Sequence, residues 1–259
     1  MSDYQFVKTE TKGHLLIVEI NRADRMNALH PPANEELAKV FDDFAADPEL
    51  WVAIITGAGD RAFCAGNDLR WQAEGNAVTV PETGFAGLTS RYDLDKPIIA
   101  AVNGVAMGGG FEIALACDLI IASDTAKFAL PEPKVGLAAL AGGLHRLPRQ
   151  IGLKQAMGMM LTGRHVPAEE GQALGFVNEV TSPETLMDRA KDWANQIMAC
   201  SPMSIRATKQ VAMAGLNTAD YKTAFEGKYP AVSALFKSED LLEGPRAFAE
   251  KRKPVWKGR

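Results

Sequence analysis

The sequence predicts an α/β protein that ends in a helical region, and two patterns support this fold class. Short apolar runs typical of buried strands alternate with segments of helical spacing as far as about residue 180. From Pro183 onward the pattern is almost purely helical. The predicted strands cover 14–20, 51–56, 97–103 and 118–122. The predicted helices cover 34–46, 111–116, 184–200, 204–216, 221–236 and 239–251, and a mobile surface loop is expected over 75–87.

Composition excludes several classes of protein. The chain has 259 residues and a net charge of −4, so no overall positive field favours binding to nucleic acid or to an anionic membrane. Cys64, Cys117 and Cys200 are isolated, which argues against a disulfide framework or a zinc site and fits a reducing compartment. We find neither a secretory signal pattern nor an apolar run approaching the ~18–20 residues that span a bilayer. A cytoplasmic protein is therefore expected.

A glycine run followed by two glutamates is the most informative feature. Gly108–Gly110 precede Phe111 and Glu112, and Glu132 lies further along between two prolines. Bare N–H groups at a helix start can stabilise an oxyanion, and two carboxylates can move protons beside it. The alternatives are a tight turn or close helix packing for the glycines, and surface positions for the glutamates. The apolar surroundings of both glutamates favour burial, which is costly unless the charge is used or paired.

Other motifs give weaker signals. The segment 57–62 resembles a dinucleotide-binding fingerprint, but a turn fits its context better because no helix or suitably placed acid follows. GxSxG, P-loop and HExxH motifs are missing from the sequence, and its four histidines are scattered. The tail 251–259 holds five basic residues, which are either solvated or in contact with phosphates.

A set of motifs that occur in order is more specific than any one of them. The motifs are Asn21-Arg22, Asn27–Leu29, Ala62–Leu69, Lys96–Gly104, Met107–Glu112, Ala116–Asp118, Ala126–Phe128, Pro131-Glu132, Gly142-Gly143, Arg146-Leu147, Leu161–Gly163 and Gly175–Val177. With these motifs the chain resembles the crotonase, or enoyl-CoA hydratase/isomerase, superfamily from near residue 5 to the end. The final stretch, 238–259, is similar to the carnitinyl-CoA dehydratase branch.

The resemblance implies a spiral of ββα units over residues 1–195 and a C-terminal helical region over 196–259 that drives assembly into a trimer or a dimer of trimers. The ligand is an acyl-CoA thioester, so that coenzyme A arrives as part of the substrate, and no metal is implied. The oxyanion hole maps to the N–H groups of Asn67 and Gly109. A side chain at Gly109 would crowd the thioester, whereas position 67 acts through its backbone.

The resemblance also assigns residues to coenzyme A binding. Two short segments line the site, and two residues of the C-terminal region, often contributed by a neighbouring subunit, complete it. These residues are Arg25, Met26, Ala28, Ala65, Asp68, Leu69, Phe248 and Lys251.

The implied activity is reversible syn addition of water to a 2-enoyl-CoA, with Glu112 taking the proton of water and Glu132 delivering a proton to the α-carbon. A carnitinyl-CoA dehydratase, an enoyl-CoA isomerase and a non-catalytic CoA-binding protein remain alternatives. A two-carboxylate glycoside hydrolase would need a tryptophan-lined cleft, and only four scattered tryptophans occur. The apolar stretch 137–141 is expected to shape the acyl pocket. A trimethylammonium group would need aromatic faces or a carboxylate, and Phe85, Phe111 and Trp71 are the candidate aromatic residues.

Overall fold

Strands of two sheets alternate along the chain in the computed structural model, which describes residues 4–259. The strands are β1 (Val7–Lys12), β2 (Leu15–Ile20), β3 (Val52–Gly57), β4 (Ala62–Cys64), β5 (Ile98–Val102), β6 (Val105–Met107), β7 (Leu119–Ser123), β8 (Lys127–Ala129), β9 (Val166–Pro167) and β10 (Glu179–Thr181). The helices are α1 (Pro31–Ala46), α2 (Leu69–Ala73), α3 (Gly109–Ala116), α4 (Gly143–Ile151), α5 (Leu153–Thr162), α6 (Ala168–Leu174), α7 (Leu186–Met198), α8 (Pro202–Leu216), α9 (Tyr221–Phe225), α10 (Pro230–Leu235) and α11 (Asp240–Ala249).

The repeating unit is a strand of the larger sheet, a strand of the smaller sheet and a helix. The larger sheet has the order β1-β2-β3-β5-β7-β10, and the smaller has the order β4-β6-β8-β9. The chain therefore runs β3-β4-α2 and then β5-β6-α3, while β7-β8 leads into a short 3-10 turn, Glu132–Val135. This repetition confirms the ββα spiral that the resemblance implies.

The smaller sheet brings three functional segments to one edge. β4, β6 and β8 pair in parallel, so their carboxyl ends lie side by side. The segments that follow them are 65–68, 108–112 and 130–132, which hold all four residues predicted for the oxyanion hole and for proton transfer.

Apolar layers cover both faces of the larger sheet. Leu15 and Ile17 of β2 lie in the core layer beneath α7, whereas Leu16 and Val18 belong to the core on the other face. This division follows from the alternation of side chains along a strand. Because successive residues of the strand are apolar, both faces are buried.

The C-terminal helices dock on the amino ends of β5 and β7. Lys209 of α8 contacts Asp118 at 2.7 Å, and Arg206 contacts Asp95 at 2.8 Å. Part of the basic tail is also paired, since Arg252 lies 2.6 Å from Glu243.

The boundary predicted after residue 195 falls within α7, and the division into two regions stays a prediction. No helix among residues 4–259 is long and apolar enough to cross a membrane.

The single helix predicted over 221–236 is wrong. The structure has α9 and α10 instead, with Tyr229 between them in an extended conformation (φ −113°, ψ 119°). Pro230 explains the break, because its ring disfavours helical geometry at the preceding residue and it has no N–H to donate.

The loop expected over 75–87 is exposed only in its first part. Residues 75–80 are exposed, but Phe85–Gly87 form a buried 3-10 turn. The Ala86 N–H donates to Oδ1 of Asn34 in α1 at 2.8 Å, which ties the turn to that helix. The turn therefore belongs to the core beside the smaller sheet.

Truncating Phe41 should strongly destabilise the protein. This α1 side chain is fully buried, so Phe41→Ala removes its apolar contacts and leaves a cavity. The expected loss in free energy of unfolding is about 3–5 kcal/mol, measured by urea denaturation. Val80→Ala, which truncates an exposed loop side chain, is the control and should change stability by no more than about 0.5 kcal/mol. Equal losses in the two variants would contradict this assignment of the core.

Candidate active site

The start of α3 packs directly against the end of β4, and only glycine allows this contact. A Cβ atom at Gly110 would lie 1.9 Å from the carbonyl oxygen of Cys64. A Cβ atom at Gly109 would lie 2.6 Å from the Phe85 ring. Close helix packing, one of the alternatives given for the glycine run, therefore applies at these two positions. The same contact brings the unpaired first-turn N–H groups of α3 to the edge of the smaller sheet.

A single parallel bridge, between Leu29 and Asn67, orients the segment after β4. Leu29 donates its N–H to the Gly66 carbonyl at 2.8 Å, and its own carbonyl accepts from the Asp68 N–H at 2.9 Å. In such a bridge the N–H and C=O of the central residue point away from the partner strand. The Asn67 N–H therefore points away from Leu29.

Gly66 links this bridge to α3. Its φ is +90°, and a Cβ atom there would lie 3.1 Å from the Gly109 nitrogen. The N–H groups of Asn67 and Gly109 consequently belong to two backbone segments in direct contact. Within residues 4–259 neither group donates a hydrogen bond. The two donors are free to bind an acceptor from outside the chain.

Glu112 is a buried carboxylate held by a second helix. It is 3% exposed, and its Oε1 accepts from the Gly143 N–H, the first residue of α4, at 2.8 Å. Burial raises the pKa of Glu112 to about 7; the bond from Gly143 opposes this shift, and the charge of Glu132 adds to it. Glu112 can therefore take up or release a proton near neutral pH.

Glu132 lies on the other side of the glycine run. Its Oε1 would be 3.0 Å from a Cβ atom at Gly108, so the carboxylate lies against that backbone. Its Oε2 is buried and has no hydrogen-bond partner among the residues described. Burial raises the pKa of this carboxyl as well. A buried carboxylate oxygen without a partner can accept a hydrogen bond from a bound molecule or carry a proton.

The site thus combines two free backbone donors with two carboxylates of raised pKa. The donors can stabilise negative charge on an oxygen, and the carboxylates can transfer protons to and from neighbouring atoms. Among residues 4–259 no cluster of three or more His, Cys, Asp or Glu side chains is placed to hold a metal ion.

Comparison with known proteins identifies the family. The family model described as enoyl-CoA hydratase/isomerase matches residues 10–259. The chain belongs to this family. It is 45% identical to the carnitinyl-CoA dehydratase of Proteus mirabilis, over 98% of this chain and 99% of the relative.

Solved structures confirm the crotonase-type fold. An enoyl-CoA hydratase from Mycobacterium tuberculosis H37Rv is 41% identical and superposes with a TM-score of 0.92, covering 98% of this chain and 99% of that one. A carnitinyl-CoA hydratase from Mycobacterium avium is 40% identical with a TM-score of 0.79, again covering 98% and 99%.

The structure joins the two segments that the family resemblance assigns to coenzyme A. The Ala65 N–H donates to the Met26 carbonyl at 3.0 Å, beside the Leu29–Asn67 bridge. Met26 is left-handed (φ 54°), which turns the chain after the exposed Arg25. Ala28 is buried, whereas Leu69 is 47% exposed at the start of α2.

The remaining residues assigned to coenzyme A are Asp68, Phe248 and Lys251. The Asp68 carboxylate pairs with Arg22 at 3.0 Å and accepts from the Trp71 N–H at 3.2 Å, which caps α2. Phe248 is 87% exposed, and Lys251 is exposed just after α11. Within residues 4–259 neither of these side chains forms a hydrogen bond or an ion pair with the other predicted site residues.

Sequence reasoning missed the supporting contacts of four residues. Gly143 binds Glu112, Phe85 packs on Gly109, and Arg22 holds Asp68. Arg146 donates from Nη2 to the Thr89 carbonyl at 3.0 Å. Gly143, Arg146 and Arg22 fall within family motifs, but their motifs do not indicate what they contact. Phe85 lies in a segment whose polar neighbours predicted an exposed loop.

Glu112→Gln should stabilise the protein at alkaline pH. Because the folded-state pKa is about 7 and the unfolded value about 4.5, the native state holds a proton that the unfolded state releases between these values. Wild-type stability should therefore fall as pH rises through this window, by up to roughly 3 kcal/mol from this group. Urea denaturation of both proteins at pH 4.5 and 8 measures the difference.

Gln retains an acceptor for Gly143 without the buried charge. The gain from Glu112→Gln should accordingly be larger at pH 8 than at pH 4.5. Glu35→Gln, at an exposed position of α1, is the control and should show little gain at either pH. An equal gain at both pH values for Glu112→Gln would mean that the wild-type carboxyl has an ordinary pKa.

Proposed function

We propose that this protein is an enoyl-CoA hydratase that adds water reversibly, with syn geometry, across the double bond of a 2-enoyl-CoA. The observation that carries the proposal is that two unpaired N–H donors lie with the buried carboxylate of Glu112 and the half-buried carboxylate of Glu132 at one edge of the smaller sheet. Family membership and full-length similarity to named hydratases and dehydratases support the same chemistry.

The backbone donors would stabilise the enolate. When a hydroxyl group adds to the β-carbon, the electrons of the double bond move toward the thioester and negative charge develops on its oxygen. The N–H groups of Asn67 and Gly109 would bind that oxygen, and the second lies in the first turn of α3, where the helix dipole favours negative charge. Loss of one such donor typically slows catalysis by about 100- to 1,000-fold.

The two carboxylates would share the proton transfers. Glu112 would take a proton from water as its oxygen attacks the β-carbon, and Glu132 would give a proton to the α-carbon. The pair then holds the same number of protons before and after addition, with the proton moved from Glu132 to Glu112. The charge of Glu132 adds to the raised pKa of Glu112, which suits a pair that carries one proton between them.

The family resemblance supplies the rest of the proposal. The substrate would bind as its coenzyme A thioester along residues 25–28 and 65–69, without a metal, and Phe248 and Lys251 of a neighbouring subunit would complete the site. A trimer or a dimer of trimers would bring them there, with the C-terminal region making contacts between subunits. Leu216, Tyr221, Phe225 and Phe236 are exposed on that region, which supports such contacts. A cytoplasmic location, consistent with three free cysteines, belongs to the same proposal.

A carnitinyl-CoA dehydratase is the second candidate, favoured by the 45% identical relative of that name. The contacts of the three candidate aromatic residues do not favour a cage for trimethylammonium. Phe111 is fully buried, 5.2 Å between ring centroids from Phe128, whereas Trp71 packs edge-on against His30. Phe85 packs on Gly109. An enoyl-CoA isomerase is less well supported, since family isomerases usually keep one carboxylate and this chain has both.

Glu112→Gln and Glu132→Gln should each lower kcat for crotonyl-CoA hydration by at least about 100-fold, because each removes one proton carrier. The loss of enoyl-thioester absorbance measures the rate. Glu35→Gln should leave the rate unchanged. A folded variant of either active-site glutamate with near wild-type kcat would contradict the proposed roles.

The pH dependence of kcat/KM should report the raised pKa of Glu112. Glu112 must be ionised to take a proton, so kcat/KM should fall as pH drops below about 7, the pKa that burial gives this residue. A hydratase whose base had an ordinary carboxyl pKa would keep its activity down to about pH 5. Steady-state rates between pH 5 and 9 distinguish these profiles.

A substrate panel should separate the two candidate functions. The panel holds 2-enoyl-CoA esters of increasing chain length and crotonobetainyl-CoA. The esters with uncharged acyl groups should give a higher kcat/KM than crotonobetainyl-CoA. Preference for crotonobetainyl-CoA would favour the dehydratase. Turnover of none of these esters would contradict both.

A further inference from the structure

A largely buried ion pair beside the site has no role in the chemistry proposed above. Nη2 of Arg22 lies 3.0 Å from Oδ2 of Asp68, and the two side chains are only 10% and 9% exposed. The other branch of the guanidinium, Nη1, donates to the carbonyl of Ala28. Arg22 therefore contacts two separate segments of the chain with one planar group.

These two segments are the two sides of the Leu29–Asn67 bridge. Ala28 precedes Leu29, and Asp68 follows Asn67. The bridge itself consists of two hydrogen bonds and is not extended into a strand pair. A third backbone hydrogen bond, from the Ala65 N–H to the Met26 carbonyl, joins the same segments before the bridge. The guanidinium fork adds the side-chain connection nearest to Asn67 on the other side, between Ala28 and Asp68.

Both ends of this connection are fixed. The Arg22 N–H donates to Oδ1 of Asn27 at 3.0 Å, and the guanidinium lies 5.6 Å from the centre of the Phe6 ring. Asp68 is fixed by its bond from the Trp71 N–H at the start of α2. A rotation of the Gly66–Asn67 peptide would have to break the bridge while these anchors stay in place.

We propose that Arg22 is a positioning residue for the oxyanion hole, which holds the Asn67 N–H in its productive direction by joining Ala28 to Asp68. The inference rests on the proposed function. It changes the role of Asp68, whose carboxylate serves this fixed connection and does not contact coenzyme A. Two N–H donors on one rigid plane are needed, one for the Ala28 carbonyl and one for the Asp68 carboxylate, so lysine is a poor substitute.

Stability alone is a weak reason for such a pair. A buried ion pair carries a desolvation cost, and well-packed apolar residues often replace one without loss of stability. Orientation of a catalytic N–H is a requirement that apolar packing cannot meet in the same way, because it needs directional bonds to a carbonyl and a carboxylate. An error of this kind in oxyanion geometry acts on kcat more than on substrate binding.

The test compares Arg22→Met, Arg22→Lys and Asp68→Asn with Arg189→Met as the matched control. Arg189 also pairs with a carboxylate, Glu179, at 2.5 Å, but it lies on α7. We expect kcat for crotonyl-CoA hydration to fall by about 10- to 100-fold in Arg22→Met and Asp68→Asn, with KM changed by less than about threefold. The double variant Arg22→Met/Asp68→Asn should lose little more kcat than either single variant.

A spectroscopic measurement separates positioning from a purely structural role. Butyryl-CoA labelled with ¹³C at the thioester carbonyl binds without reacting, and its stretching frequency reports hydrogen bonds to the carbonyl oxygen. The wild type and Arg189→Met should lower this frequency equally. The lowering should be smaller in Arg22→Met and Asp68→Asn, and Arg22→Lys should recover only part of it.

Wild-type kcat and carbonyl frequency in folded Arg22→Met would overturn the proposal. A rise in KM with unchanged kcat would also overturn it, since it would place Arg22 in coenzyme A binding. If Arg22→Met fails to fold, Asp68→Asn and Arg22→Lys give the same readouts. A wild-type protein that neither hydrates enoyl-CoA esters nor shifts the carbonyl frequency would refute the proposed function itself, an outcome distinct from these.

Discussion

The contact between β4 and the start of α3 is the constraint on which the site depends. The backbone of Cys64 occupies the place where a Cβ atom at Gly110 would be, and a Cβ atom at Gly66 would lie 3.1 Å from the Gly109 nitrogen. Because two backbones meet here without side chains between them, two N–H groups from different units of the spiral lie in adjacent segments. Such preorganised donors need no rearrangement when charge develops, which makes them effective in stabilising it.

The glutamates lie beside the same contact, and burial of Glu112 costs the protein stability when this carboxyl is ionised. Burial raises the pKa of Glu112 to about 7, so at higher pH the folded protein holds a charge that would be more stable in water. The Gly143 N–H at the start of α4 offsets part of this cost, and the positive end of the helix dipole acts in the same direction. Functional sites often carry such local instability, which the rest of the fold must offset. Here the offset comes from apolar layers on both faces of the larger sheet.

Sequence alone could predict the backbone elements that have a strong apolar signal. The strands around Ile54 and Ile99 and the helix ending at Ala46 follow directly from hydrophobic runs and spacing. β1 gave no such signal, because only Val7 of its six residues is buried in this edge strand. The polar neighbours of Phe85 predict an exposed loop. The turn is buried because of tertiary contact with α1, which local sequence does not encode.

The candidate site was predictable to a similar degree and for related reasons. Glu112 and Glu132 could be singled out because charge in apolar surroundings is costly, and the glycine run because it frees backbone donors. The roles of Asn67 and Gly109 came from the family resemblance. What holds these groups could not be inferred, because the bonds of Arg22 to Asp68 and of Gly143 to Glu112 join residues far apart in the chain.

The start of α4 connects the two halves of the site. Gly143 binds Glu112, and Arg146, one turn later, donates to the carbonyl of Thr89. Oγ1 of Thr89 in turn accepts from the N–H of Phe85, whose ring packs on Gly109. A shift of α4 would therefore move the Glu112 carboxylate together with the Phe85 ring, which packs beside the Gly109 N–H. On a 2-enoyl thioester the oxygen that gains charge lies only two bonds from the α-carbon and three from the β-carbon. A common support for the carboxylate and the backbone donor keeps their relative position fixed over this short distance.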